Sequence, residues 1–382
     1  MNLKKYSFAI VTHVYATGPS FNLEEYLSPQ VKNLLFIGHP FSYTKDTRSF
    51  LRVYKNGKLV TEKHFVYWKG PELLFYLKDV LLTLWWTLRY GTTFDYFVGV
   101  DSLNAVTGLY LEFFGKVKHT VFYTIDYVPQ RSGNSVLNFF YHRLDKISIE
   151  KGWRVWNLSQ KMAEAREKNG ISSKYRDKQL VVPVGTMPIA RLLPEEKIDK
   201  YKVIFMGHLR EGQGVELLVD SMKDVINKVP KAHLLIIGGG PLEESLKQKV
   251  KKLQLEKSVT FTGFVKNFSD VKKYMQDAAV AVAPYVDSEK TFTQYTDPGK
   301  PKDYLANGIP IVITKVPQVA FEIHERKCGI AISYSKKDLV NALISILSDQ
   351  KKLQLFRKNA LAMARDYTWD KIFVKTLQAT IQ

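Results

Sequence analysis

KPKDYLANGIP at residues 300–310, running into the apolar IVI of 311–313, decides how the rest of this chain is read. It sets a cation and a carboxylate three residues apart, ahead of a Gly-Ile-Pro turn and a buried strand. Residues three apart share one helix face, so the spacing predicts Lys300 and Asp303 side by side near a helix N-terminus. That end carries free N–H groups and partial positive charge, and both suit a phosphate. An amphipathic helix ended by Gly308 and followed by a core strand gives the same pattern with no ligand at all, so the surrounding sequence has to decide.

On either side of this stretch, short apolar runs alternate with helical patterns. Strands are predicted at Lys202–Met206, His233–Ile237, Ser258–Thr262, Ala279–Ala283, Ile311–Ile313 and Gly329–Ile332, with amphipathic helices at Gly214–Asn227, Leu242–Leu253 and Phe268–Asp277. Near-continuous apolar strands separated by helices indicate a parallel sheet covered on both faces. The first half repeats the pattern at Phe8–Thr12, Leu34–Ile37, Tyr96–Val100, Val121–Thr124, Val155–Leu158 and Val181–Val184. Phe50–Phe65 is predicted to be a hairpin turning at Asn56-Gly57. The expected fold is α/β, two Rossmann-like doubly wound domains facing each other across a cleft. We expect domains at 1–190 and 191–365, with 366–382 a C-terminal helix packing back toward the first.

A length of 382 residues allows two cores. The 56 Lys and Arg against 37 Asp and Glu leave a formal charge of +19, which favours anionic partners. Residues 1–190 hold 25 basic and 15 acidic side chains, so the excess is spread through both halves. With no basic tail and no nucleic-acid-binding signature, no nucleic-acid partner is expected. One cysteine, Cys328, excludes a disulfide framework and a cysteine zinc site and fits a reducing, cytoplasmic setting. Lys4 and Lys5 ahead of Phe8–Val14 could open a signal peptide, but His13 interrupts the apolar run and a first strand is the better reading.

In such sheets ligands sit beyond the carboxyl ends of the strands. Gly207, His208 and Arg210 open a glycine-rich turn that continues through Gln213, and Gly238-Gly239-Gly240-Pro241 follows the next strand. Such turns let N–H groups approach a diphosphate. The glycines lack the dinucleotide spacing, so a nicotinamide cofactor is not supported and no cofactor is expected. Phe264 and Val265, then Pro284, end the following strands and could line a base pocket.

Taken in order, FMGHL (205–209), IIGGGP (236–241), FTGFV (261–265), AVAPY (281–285) and PGKPKDYLANGIP (298–310) resemble the nucleotide-sugar-binding half of family 4 of the retaining glycosyltransferases, which have the B-type glycosyltransferase fold. The resemblance covers residues 181–382 and, more thinly, ATGP (16–19) after the first strand. It implies transfer of a sugar from a nucleoside diphosphate donor, UDP- or GDP-linked, to a glycan or lipid-linked acceptor. By the same resemblance the first domain is the acceptor side and the second binds the donor. Gly18 matches the family's diphosphate-contacting glycine loop, Lys300 a lysine of one motif variant, and Asp303 the second of two ribose-holding glutamates. His208 and Gln213 stand where the family carries an arginine and a lysine, so Arg210 is expected to compensate. The first glutamate has no match, and Asp297 is the nearest acid.

A departing diphosphate gains negative charge, so positioned cations lower the barrier. The chain contains no Asp-Xaa-Asp triplet, so a metal-independent reaction is expected. Asp101 and Asp126, each just past a predicted strand, are the acids best placed to act on an acceptor, with a helix cap as the plainer account of Asp101. His13 is a third candidate, with a satisfied strand-end histidine as its plainer account.

Residues 71–90 read as a helix that is apolar except for a stripe of Glu72, Asp79, Thr83 and Thr87. A buried helix is expected, with a lipid interface as the alternative. Arg52, Lys55, Lys58 and Lys63 of the hairpin keep an anionic membrane surface open as a partner, and with it a peripheral position at the inner membrane surface. A non-catalytic nucleotide-sugar-binding protein, or an epimerase on the same fold, is the rival reading.

Overall fold

The computed structural model describes residues 1–14, 18–41, 43–44, 46–65, 70–90, 93–131, 133–288 and 291–382. The chain divides into two compact units, one formed by Met1–Pro183 with Trp369–Gln382 and the other by Val184–Thr368.

The first unit is built on strands β1 (Ser7–Val14), β2 (Asn33–Pro40), β3 (Phe50–Lys55), β4 (Lys58–His64), β5 (Phe94–Val100), β6 (Val117–Thr124), β7 (Arg154–Asn157) and β8 (Gln179–Val181). They lie in the order β4-β3-β2-β1-β5-β6-β7-β8. Six run parallel, and β3 and β4 form an antiparallel hairpin at one edge. Asn56 (φ 47°) and Gly57 (φ 82°) are both left-handed, the backbone that a two-residue hairpin turn needs. Central β1 is buried from Ser7 to Thr12, as its apolar run requires, while β4 at the edge is exposed along most of its length.

The second unit carries β9 (Asp199–Met206), β10 (His233–Ile237), β11 (Val259–Phe261), β12 (Ala278–Ala283), β13 (Ile311–Thr314) and β14 (Gly329–Ile332). All are parallel, in the order β11-β10-β9-β12-β13-β14. Val203, Phe205, Leu234, Ile236, Val280, Val282 and Val312 pack one face of the sheet, and Ile204, Ile237, Ala281, Ile311 and Ile313 the other. Each fully buried aliphatic side chain contributes about 1.5–3 kcal/mol. The strand order reverses between β9 and β12, and such a switch point opens a crevice at the carboxyl ends of those strands.

Residues 71–90 depart from expectation. The helix Glu72–Tyr90 forms, but it is not buried as a whole, and the side it buries is its polar one. Asp79, Thr83 and Thr87 are buried with Phe75, Leu82 and Trp86, while Leu73, Leu77, Leu81, Trp85 and Leu88 face outward. Asp79 and Thr83 have partners there, while the buried Thr87 hydroxyl makes no hydrogen bond among the described residues. The Asp79 carboxylate lies 2.8 Å from the Lys78 ammonium, 3.3 Å from Nε2 of His13 and 3.2 Å from Nδ1 of His39. His39 is fully buried between Ser49 Oγ (2.9 Å) and Thr83 Oγ1 (2.8 Å), and burial pushes its pKa down to about 3, so it is neutral. Burial alone would push the Asp79 carboxyl up, but His13, His39 and Lys78 together hold it below its ordinary value. Among the described residues no helix is long and apolar enough to cross a membrane.

The last helix, Trp369–Ile381, belongs to the first unit. The Trp153 indole donates to the carbonyl of Thr380 (2.9 Å), the Trp156 indole to Oγ1 of Thr380 (3.0 Å), and Arg154 Nε to the carbonyl of Ala379 (3.2 Å).

Candidate active site

At the switch point of the second unit, β9 ends at Met206 and the chain turns through Gly207. Its φ of 149° lies where side chains are rarely tolerated, and a β-carbon there would overlap the Lys300 side chain. Lys300 arrives from the first turn of the helix Gly299–Ala306, where Pro301 costs nothing because first-turn N–H groups have no partner in the helix. Its ammonium donates to Oε1 of Gln213 and lies 5.1 Å from the Phe205 ring centre and 5.9 Å from that of Tyr285. Burial, with Arg210 nearby as a second cation, pushes the Lys300 amine down to about 7.

Gln213 is buried, and its N–H donates to the carbonyl of Arg210 (3.3 Å). Arg210 is exposed, its guanidinium 5.0 Å from the Phe292 ring centre. Gly214 follows at φ 69°, and a β-carbon there would run into the carbonyl of Pro284, which ends β12. Both glycines therefore let two strand ends close up on one small volume.

His208 is exposed. Gly240 packs against the main chain of Leu209, and the Leu209 N–H donates to the carbonyl of Gly239 (3.0 Å). After β11, Gly263 accepts from the Gly238 N–H (3.1 Å), Phe264 is 82% exposed and Val265 packs partly into the core. The ends of β9, β10, β11 and β12 thus bring Gly207, His208, Arg210, Gln213, Gly240, Phe264, Val265 and Pro284 to one edge of one sheet. Lys300 joins them from the following helix. Cationic groups gathered beside glycine turns at a strand edge can hold a diphosphate.

Asp303 does not pair with Lys300. It is partly buried, burial pushes its carboxyl up to about 7, and Lys272 opposes that rise. Asp297, the substitute acid weighed from sequence, lies 3.3 Å from the Lys302 ammonium and accepts from the Val184 N–H at 2.8 Å. That buried pair anchors the loop before the helix, so its carboxylate is committed to the scaffold. Tyr304, which sequence reasoning passed over, accepts from the Met206 N–H at 2.7 Å and so fixes the entry to the Gly207 turn.

Gly18, Asp101 and Asp126 lie in the first unit. Gly18 precedes the helix Pro19–Leu27 with open space at its α-carbon, while Ala16 and Thr17 lie outside the described residues. Asp101 occupies the position before the helix Ser102–Phe113 but makes no capping hydrogen bond, and its backbone holds φ 70°, ψ 160°, rarely adopted by a non-glycine residue. Asp126 is exposed beyond β6. Both acids act on Arg131, another residue the sequence did not single out. Burial would push its pKa down, but Asp101, Tyr141 and Asp126 raise it, and its guanidinium lies 4.9 Å from the Tyr141 ring centre. His13 is satisfied by Asp79 and Asn104 (3.2 Å). Among the described residues no group of three or more His, Cys, Asp or Glu is placed to hold a metal ion.

Residues 200–349 match the family described as glycosyl transferases group 1. Chitobiosyldiphosphodolichol beta-mannosyltransferase of Yarrowia lipolytica is 27% identical over 149 residues, covering 39% of this chain and 31% of that protein. An uncharacterized glycosyltransferase of Methanocaldococcus jannaschii is 38% identical over 129 residues, covering 34% and 32%. The chain thus spans about a third of the length of these curated relatives. Sucrose-phosphate synthase from Thermosynechococcus elongatus superposes with a TM-score of 0.70 at 16% identity over 98% of each chain. Anabaena HepE, solved in complex with UDP and glucose, does so at 0.68 and 15%, over 98% of this chain and 100% of that one. Residues 200–349, all within the second unit, are thus similar to the group 1 glycosyltransferases, and the chain as a whole has the fold of these solved structures, the B-type glycosyltransferase fold.

Proposed function

We propose that the chain transfers a sugar from a UDP- or GDP-linked donor to a glycan or lipid-linked acceptor, with retention at the anomeric carbon and without a bound metal ion. One observation carries the reading: the Lys300 ammonium is drawn to the Gly207 turn and Gln213, beside Arg210. When the bond between sugar and diphosphate breaks, its electron pair stays on the diphosphate oxygen. Lys300 and Arg210 supply positive charge there, and the Gly207 and Gly240 turns supply N–H donors. His208 and Gln213 complete the diphosphate side, Asp303 holds the ribose, and Phe264, Val265 and Pro284 border the base. Asp297 serves this site only by fixing the loop ahead of Lys300. In the first unit Asp101 and Asp126 orient the acceptor hydroxyl, with the Arg131 cation near both, and the open helix start at Gly18 offers further N–H donors.

The second unit is then the donor side and the first the acceptor side. A buried free thiol at Cys328 fits a cytoplasmic setting, and the cationic excess fits work at an inner membrane surface. The test is a panel of UDP- and GDP-linked sugars, with EDTA present and a lipid-linked or glycan acceptor. We expect transfer with release of the nucleoside diphosphate and retained anomeric configuration. Binding without turnover across the panel would mean a non-catalytic binding protein, and interconversion of the donor sugar would mean an epimerase.

The lowered pKa of Lys300 makes a pH prediction. A diphosphate prefers the protonated amine and raises its pKa on binding, so affinity is full below about pH 7 and falls as pH rises beyond it. Calorimetric titration with UDP or GDP, whichever binds, between pH 7 and 9 should find this loss, and Lys300→Gln should flatten it. An unchanged slope in that variant removes Lys300 from the diphosphate.

A further inference from the structure

The helix Glu72–Tyr90 buries Asp79, Thr83 and Thr87 together with Phe75, Leu82 and Trp86, and turns a separate row of apolar residues outward. Leu73, Leu77, Leu81, Trp85 and Leu88 are each 52% to 79% exposed. At 100° per residue they fall within a sector of about 120° and form one strip along four turns. The described residues of the first unit leave this strip uncovered, and it carries no charge. Asp79, the acid inside the helix, is turned into the core, and Glu72 at its start accepts from the Tyr76 hydroxyl at 3.0 Å.

The far end of the strip is cationic and aromatic. Arg89 follows Leu88, with its guanidinium 5.7 Å from the Tyr90 ring centre. Lys63 reaches the same ring from β4, 5.3 Å away. An apolar strip with an aromatic ring and cations at its margin matches a bilayer interface, where rings sit at headgroup depth and cations meet anionic lipid. A second copy of the chain fits less well. A helix of 19 residues is about 28 Å long and exposes a strip roughly 10 Å wide, well short of the roughly 800 Å² per partner that a stable dimer buries.

We propose that this outward face docks the first unit on the surface of an anionic bilayer, with the helix axis parallel to the membrane and the strip in the headgroup boundary. The inference stands apart from the donor site, and adds to the proposed function the surface by which the chain would meet a membrane.

The purified full chain should float with vesicles of phosphatidylcholine and phosphatidylglycerol at low salt, and bind pure phosphatidylcholine more weakly. The combined variant Leu77→Ser, Leu81→Ser, Trp85→Ser should lose at least about tenfold in partitioning, because three apolar side chains no longer enter the interface. Its melting temperature and nucleotide binding should match the parent's, since all three side chains face outward. Lys63→Glu with Arg89→Glu should weaken binding only where phosphatidylglycerol is present. The proposal is overturned if the parent ignores both kinds of vesicle, or if the serine variant binds as well as the parent. It is equally overturned if the parent ignores vesicles and is a dimer that the serine substitutions dissociate, which would make the strip a face between copies. Loss of sugar transfer with vesicle binding intact leaves this inference standing and sinks only the donor reading.

Discussion

Lys300→Ala is expected to lower kcat/KM for the nucleotide sugar by about a hundredfold, on the order of 3 kcal/mol of transition-state stabilisation. The amine touches Gln213 and the Gly207 turn, where a leaving diphosphate would gather charge, and no other lysine is brought to this strand edge from the Gly299–Ala306 helix. The fold should not suffer. An amine held down at about 7 binds fewer protons in the folded chain than in the unfolded one, whose lysine titrates near 10.5, so it costs stability at neutral pH. Lys300→Met should therefore melt no lower than the parent. The parent itself should gain stability from this group as pH rises from about 7 toward 10. Steady-state kinetics together with a melting curve read both effects, and full activity in the alanine variant would falsify the role given to Lys300.

The largest effect on stability is expected at Asp145. Arg166 is fully buried, and its guanidinium donates to Asp145 through Nε (2.9 Å) and a terminal nitrogen (2.7 Å), to Oγ1 of Thr124 (2.9 Å) and to Oδ1 of Asn157. It also lies 4.6 Å from the Tyr127 ring centre. Asp145→Ala strands a buried cation and should cost about 3–5 kcal/mol, read by urea unfolding. Replacing both partners, Asp145→Leu with Arg166→Met, should recover most of that loss because no charge is left unpaired. If the double variant is no more stable than the single one, the pair is not coupled as described.

How much could be read from sequence follows from the physics of each element. Parallel strands buried on both faces must be almost wholly apolar, so β10 at His233–Ile237 and β14 at Gly329–Ile332 were legible to the residue. β9 begins earlier than its apolar run because Asp199 pairs across to Ala278, a polar lead-in that hydrophobicity cannot signal. β8 spans Gln179–Val181 rather than 181–184, since pairing with β7 sets its register and not its own composition. The inversion of Glu72–Tyr90 lay beyond sequence reasoning. A polar stripe normally marks the wet side, and here it is dry because His13 and His39, 66 and 40 residues away, converge on Asp79.

The candidate site divides in the same way. Lys300, Gly207 and Gln213 were visible as strand-end and helix-start residues, but their meeting depends on a contact across 87 residues. Asp297 was chosen for its distance from Asp303, and burial with Lys302 spends its carboxylate elsewhere. Arg131 sits in no motif, and only the placement of Asp101 and Asp126 draws attention to it.

The helix Trp369–Ile381 completes a unit that begins at Met1. A nascent polypeptide halted at residue 368 would leave the indoles of Trp153 and Trp156 without the Thr380 acceptors. The unit made first is thus the last to close. During synthesis it must wait, one flank bare, until the whole second unit has emerged from the ribosome, and loss of Trp369–Ile381 would injure a unit whose other residues were made before that second unit.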